Sequence, residues 1–94
     1  MSDILLELEE IIKSRKNANS DKSYTKQLFD SGLPRIAQKV GEEGVEVVIA
    51  AMKQDKKELI NESTDLIYHL LVLLVESNVD FKDIINQITL RQKK

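Results

Sequence analysis

Between residues 56 and 77 the chain reads as one helix with almost no polar side. At about 100° per residue, Leu59, Ile60, Leu66, Ile67, Leu70, Leu71, Leu73 and Leu74 fall over one broad arc. Tyr68, Val72 and Val75 cover much of the opposite side. A helix that is apolar nearly all round must be buried on several faces. In a chain of 94 residues the remaining segments can hardly surround it. A second copy is the simplest remedy, and two-fold dimers are the commonest oligomers. A homodimer is therefore expected.

The punctuation of the chain points to an all-α fold. Only three Gly and one Pro occur, and 4% of the residues are aromatic, so little of it looks like turn or strand. Ile4, Leu5, Leu8, Ile11 and Ile12 follow a helical rhythm over residues 3–16. Residues 17–22 are polar and aperiodic, and read as a loop. Ser23 caps a short helix through Asp30, Gly32 closes it, and Pro34 sits in the first turn of a long helix over 34–53. Asp55 with Glu58 forms a capping box for the helix over 56–77, and Asp80 with Asp83 caps a last helix ending near Arg91. The prediction is one domain spanning residues 1–94: an antiparallel bundle of four main helices plus a short one, its core completed by homodimerisation.

Composition removes whole classes of function. Fourteen Lys and Arg against sixteen Asp and Glu leave a net charge of −2, a poor basis for nucleic-acid binding. There is no Cys, hence no disulfide, thiol catalysis or cysteine-bound metal. The longest apolar stretches, 47–52 and 70–75, are far below the roughly 20 residues that span a bilayer, so no membrane partner is expected. Residues 1–10 are acidic and resemble no targeting signal, which makes a cytoplasmic protein the expectation.

The chemistry sits where acids interrupt the apolar helices. Glu42, Glu43 and Glu46 share one face of the long helix, and Glu62 and Asp65 stand three apart on the next, with His69 four residues further on. Like charges so placed repel, more strongly when partly buried, and a hard divalent cation with oxygen ligands offsets that repulsion. A short turn would make the two helices antiparallel and let Glu43 and Glu46 face Glu62 and Asp65. Metal with open positions then suggests phosphoanhydride chemistry. An ordinary salt-bridge face is the competing reading, since Lys39 precedes Glu42 by three and Glu43 by four residues, and for Glu42 it is preferred. His69 suits a hydrogen-bonded core position better than a magnesium ligand. Gly41 and Gly44 cost a helix about 1 kcal/mol each relative to Ala, and close packing against a neighbour is the preferred explanation.

Glu42-Glu43-x-x-Glu46 and Glu62-x-x-Asp65, with 15 residues between Glu46 and Glu62, resemble the paired acidic signature of the MazG-like all-α nucleoside triphosphate pyrophosphohydrolases. The segments 23–25, 39–43 and 65–74 resemble the phosphoribosyl-ATP pyrophosphohydrolase family, and the resemblance runs from about Leu5 to Arg91. It implies a homodimeric helical bundle that uses Mg²⁺ to cleave the α–β phosphoanhydride of a nucleotide substrate, 1-(5-phosphoribosyl)-ATP, in the second step of histidine biosynthesis. It also implies Mg²⁺ ligation by Glu43, Glu46, Glu62 and Asp65, with Glu42 orienting or deprotonating the attacking water. Lys39 and Arg35, one and two turns before the acids, are the implied phosphate contacts. Where family members often carry Ala-Ala this chain has Gly44-Val45, and where they carry Ala it has Thr64. Some relatives fuse the domain to a cysteine-bearing cyclohydrolase, and the lack of Cys predicts the stand-alone form. Two other readings stay open: a house-cleaning enzyme acting on other nucleoside triphosphates, and a non-catalytic helical dimerisation module.

Overall fold

The computed structural model describes residues 3–18 and 23–93; of the loop expected over 17–22, residues 19–22 lie outside them. The described residues form five helices, joined by turns and short connections: α1 (Asp3–Lys16), α2 (Tyr24–Ser31), α3 (Leu33–Met52), α4 (Lys56–Glu76) and α5 (Phe81–Gln92). The all-α expectation and its five segments hold to within a residue or two. None of these helices is long and apolar enough to cross a membrane.

Local chemistry explains most boundaries. Ser23 Oγ accepts from the Lys26 N–H at 3.3 Å and starts α2. Gly32 holds φ at +92°, a conformation that L side chains rarely adopt, so α2 and α3 can meet at a single residue. Asp55 accepts from the Glu58 N–H at 3.1 Å and starts α4. Both α3 and α4 end in the same two-bond closure. Gln54 N–H bonds to Ala51 O at 3.0 Å and Asp55 N–H to Ala50 O at 3.3 Å; Asn78 N–H bonds to Val75 O at 3.1 Å and Val79 N–H to Leu74 O at 2.9 Å. Gln54 (φ 57°) and Asn78 (φ 58°) take the left-handed position that glycine usually fills in this motif.

The connection between α3 and α4 is thus three residues, Lys53, Gln54 and Asp55, bonded at both ends. It turns α4 back along α3, and this pair makes the most extensive helix–helix contact. Below it Ile12, Leu28, Phe29, Ile36, Leu71, Val72 and Val75 form the core, drawn from α1 to α4.

On α4 the side buried within the chain carries Leu71, Val72 and Val75, whereas Ile60, Ile67 and Leu70 are exposed in the single chain. One expectation changes. The N-terminus of α5 is not capped by its own Asp80, which makes no side-chain cap bond and pairs instead with Lys13 at 3.6 Å. The Phe81 N–H donates to Glu9 Oε2 at 2.8 Å, across 72 residues, and Glu9 is buried. Here a carboxylate from α1 supplies the negative partner that a helix start favours. Sequence proximity could not reveal it. α5 itself contributes no buried residue and rests against α1.

Glu9→Ala should therefore cost about 1–3 kcal/mol in urea unfolding, with faster amide exchange in the first turn of α5, because it leaves a helix-end donor without its charged acceptor. Asp80→Ala should cost less than half as much.

Candidate metal centre

The register of the α3–α4 hairpin decides the site. Glu46 and Glu62 each stand eight residues from Gln54, and Glu43 and Asp65 each stand eleven. In an antiparallel pair, residues equidistant from the turn face one another. Accordingly one carboxylate oxygen from each of Glu43, Glu62 and Asp65 lies within 4.8 Å of the other two. Glu46, exposed on the same side, shares hydrogen bonds with Glu62 and Glu43.

Burial and charge act on the three glutamates differently. Glu43 is only 5% exposed, and its carboxyl is pushed above the ordinary value by burial first and by Glu46 second. Glu62 is raised from 4.5 to about 7, chiefly because its protonated form hydrogen-bonds to Glu46, then by burial and by the charges of Glu46, Glu43 and Asp65. Glu46 is lowered, since the hydrogen bonds from Glu62 and then Glu43 favour its charged form. A proton shared along this row relieves a repulsion that the backbone register would otherwise enforce. One buried oxygen on each side of the cluster, Glu43 Oε2 and Glu62 Oε2, has no hydrogen-bond partner. Buried carboxylate oxygens without donors are costly, and a cation is the partner that suits them.

The surrounding groups orient the cluster. Lys39 Nζ lies 3.7 Å from Glu43 Oε1, and His69 Nδ1 lies 3.5 Å from the same atom. His69 is buried and bonded at both ring nitrogens: Nδ1 to the Asp65 carbonyl at 2.8 Å and Nε2 to the Tyr24 hydroxyl at 2.7 Å. Nδ1 donates to that carbonyl, and the Tyr24 hydroxyl, which can donate or accept, completes the other side of the ring. The Thr25 hydroxyl bonds to the Tyr68 hydroxyl beside it. The reading of His69 as a hydrogen-bonded core residue agrees with this geometry. Tyr24 and Thr25 belong to the 23–25 segment that carries the family resemblance, but nothing in their spacing announces partners 45 and 43 residues away.

Glu42 is not among the clustered oxygens. It is exposed, accepts from Gln38 Nε2 at 3.1 Å and lies 3.9 Å from Arg35 Nη1. Glu42 thus sits on an exposed salt-bridge face as preferred for it, but with Arg35 as partner in place of Lys39, which lies against Glu43. Close packing at Gly41 and Gly44 is not found within the chain, because a Cβ at either would meet no neighbouring atom within 4 Å. Alanine, frequent at the second position in the family resembled, would fit.

Antiparallel helices that hold an all-oxygen carboxylate cluster in a partly desolvated gap define a candidate hard-cation centre of an all-α protein. The model of the family described as Phosphoribosyl-ATP pyrophosphohydrolase matches residues 5–92, and the chain belongs to that family. It is similar to proteins named Histidine biosynthesis bifunctional protein HisIE. With that of Buchnera aphidicola subsp. Schizaphis graminum it is 57% identical over 88 residues, which cover 94% of this chain and 42% of the relative. With that of Campylobacter jejuni it is 55% identical over 89 residues, 95% and 43% of the two chains. With that of Yersinia pestis it is 51% identical over 90 residues, 96% and 44%. The chain thus spans less than half the length of these curated relatives.

Glu62→Gln tests the shared proton. The folded-state value of Glu62 lies above its unfolded value, so the folded chain binds the extra proton between pH 4.5 and about 7. Its contribution is intact below that window and is lost as pH rises through it. The variant should therefore gain stability relative to the parent as pH is raised from about 4.5 to about 7, by urea titration without divalent ions. A constant difference across that range would remove the proton-sharing row.

Proposed function

We propose that the chain acts as a single Mg²⁺-dependent domain that hydrolyses the α–β phosphoanhydride of 1-(5-phosphoribosyl)-ATP, giving 1-(5-phosphoribosyl)-AMP and pyrophosphate, in histidine biosynthesis. The observation that carries this reading is the cluster of Glu43, Glu62 and Asp65 oxygens within 4.8 Å, in a chain of the phosphoribosyl-ATP pyrophosphohydrolase family. The donor set fits magnesium. It consists of oxygen alone, two of its buried atoms have no other partner, and two oxygens on one magnesium ion stand at most about 4.2 Å apart, twice the bond length. Small side-chain adjustments close that difference.

Glu43, Glu46, Glu62 and Asp65 would hold the ion, which when bound neutralises phosphate oxygens and so eases attack at phosphorus. The chain's own residues do the rest. Lys39, one turn before Glu43, and Arg35, one turn further, offer positive charge to the substrate beside the cluster. Glu42 lies a turn before Glu46 on the exposed edge of the site. Its contacts with Gln38 and Arg35 are exposed ones of small worth, so its carboxylate can swing to orient a water for in-line attack. The water oxygen bonds to the α-phosphorus, the bond to the bridging oxygen breaks, and pyrophosphate leaves. His69, anchored at both nitrogens, holds the turn of α4 that carries Asp65.

A homodimer belongs to the same proposal. Val45, Val48 (61% exposed) and Met52 (79%) follow Gly41 and Gly44 along one face of α3, and Ile60 (66%) and Ile67 lie exposed on α4. The radius of gyration, 14.5 Å, exceeds the roughly 12–13 Å of a compact chain of this length. Both observations suit a chain whose apolar faces close against a second copy. The net charge of −2 and the lack, among the described residues, of a helix able to cross a membrane fit the further proposal of a cytoplasmic setting with no membrane or nucleic-acid partner.

Purified protein should release pyrophosphate from phosphoribosyl-ATP only with a divalent ion, and turn over ATP and deoxynucleoside triphosphates far more slowly. Equal rates across that panel would favour a general house-cleaning enzyme. Glu62→Gln and Asp65→Asn should keep the helical circular dichroism and lose at least about 100-fold in kcat, the order expected when a charge-stabilising group is removed. Sedimentation should give twice the 10.7 kDa chain mass, and Val48→Asp should shift it towards the monomer.

A further inference from the structure

A cavity of about 210 Å³ opens between α2 and the start of α3, lined by Tyr24, Gln27, Leu28, Ser31, Arg35 and Lys39. Its wall carries two cations and no carboxylate, in a protein of net charge −2. The larger cavity beside α1, about 350 Å³, differs in this respect: Asp80 stands in its wall beside Lys13 and Lys16.

The smaller cavity also borders the acidic cluster directly. Lys39 lines it and lies 3.7 Å from Glu43; Tyr24 lines it and bonds to His69, which lies 3.5 Å from that same Glu43 oxygen. Arg35 and Lys39 are one helical turn apart, so both can reach one anion. At 210 Å³ the space is smaller than the roughly 300–1,000 Å³ of sites that enclose a whole ligand, and it suits one arm of a larger one.

Phosphoribosyl-ATP has two anionic ends, the triphosphate and the phosphate of its added ribosyl group. The acidic cluster, with its cation, accounts for the first alone. Resting on the function proposed above, we propose that the α2–α3 cavity receives the second: the ribosyl phosphate, held by Arg35 and Lys39 against the wall formed by Tyr24 and Leu28. Arg35 offers a planar fork of donors matched to phosphate oxygens, and Lys39 a point charge between the two ends of the substrate. A nucleoside triphosphate without the extra arm leaves this cavity unfilled, so the same residues discriminate between substrates that the acids grip alike.

Two measurements on the full chain with Mg²⁺ test this. In kinetics, kcat/KM of Arg35→Gln should fall about 10- to 100-fold on phosphoribosyl-ATP, the worth of a charge-assisted phosphate contact, and at least tenfold less on ATP. In methyl NMR, ribose 5-phosphate alone should shift the Leu28 signals saturably, and Arg35→Gln and Lys39→Gln should weaken that binding at least about tenfold. An equal loss on both nucleotides, or shifts confined to Val75 and Val79 of the other cavity, overturns the assignment. If the protein hydrolyses no phosphoribosyl-ATP, the proposed function fails and the NMR result alone decides: Leu28 shifts abolished in Arg35→Gln uphold a sugar-phosphate pocket, and their absence refutes it.

Discussion

Everything distinctive in this molecule follows from holding like charges together by backbone register. The α3–α4 hairpin is closed by a three-residue connection whose amides bond back to α3 and whose Asp55 accepts from the start of α4, so neither helix can slide to separate its acids. Side chains at equal distances from Gln54 must then meet. The chain answers the resulting repulsion in two ways: Lys39 and His69 lie against Glu43, and a proton is retained on Glu62 up to about pH 7. Neither answer provides for Glu43 Oε2 and Glu62 Oε2, which stay buried without a donor. A gap of this kind in an otherwise well-bonded hairpin is a feature of function rather than of folding.

α2 is a short helix with a large role in fixing that gap. Eight residues cannot form a stable helix alone, and α2 is secured by its Ser23 cap and by burying Leu28 and Phe29 in the core. Its first turn then reaches across to α4 through Tyr24–His69 and Thr25–Tyr68. These contacts tie the ring of His69, and through it the Asp65 carbonyl, to a segment that also forms the wall of the neighbouring cavity. Acid cluster and cavity are consequently positioned by the same few hydrogen bonds.

What could be read from sequence divides along a physical line. Features set by nearby residues were legible: the five helices, the Ser23 and Asp55 caps, the Gly32–Pro34 break and the acid pairs all depend on spacings of four or fewer. The facing of Glu43 and Glu46 against Glu62 and Asp65 was legible too, because a short turn fixes register. Features set across the chain were not. Glu9 capping α5 looks like any surface acid of an amphipathic helix. The buried side of α4 could not be selected, since a helix apolar on all sides gives periodicity nothing to choose between; the helices packed on it, α3 first and then α1, decide it. Gly41 and Gly44 suggest close packing, yet their neighbourhood within the chain is open.

That openness and the exposed apolar faces bear on how such a small core can tolerate an electrostatic burden. Only a handful of side chains from α1 to α4 are fully buried, and α5 adds none. A core this limited leaves little stability in reserve. Two contributions are then available that a lone, cation-free chain lacks: burial of the α3 and α4 faces against a second copy, and charge neutralisation inside the hairpin. Both act on the same two helices. Binding at one would therefore favour the conformation required by the other, because each would stabilise the α3–α4 register on which the cluster and the exposed stripe equally depend. If the proposed dimer and cation site both form, assembly and cation uptake would be coupled by geometry, with no moving part required.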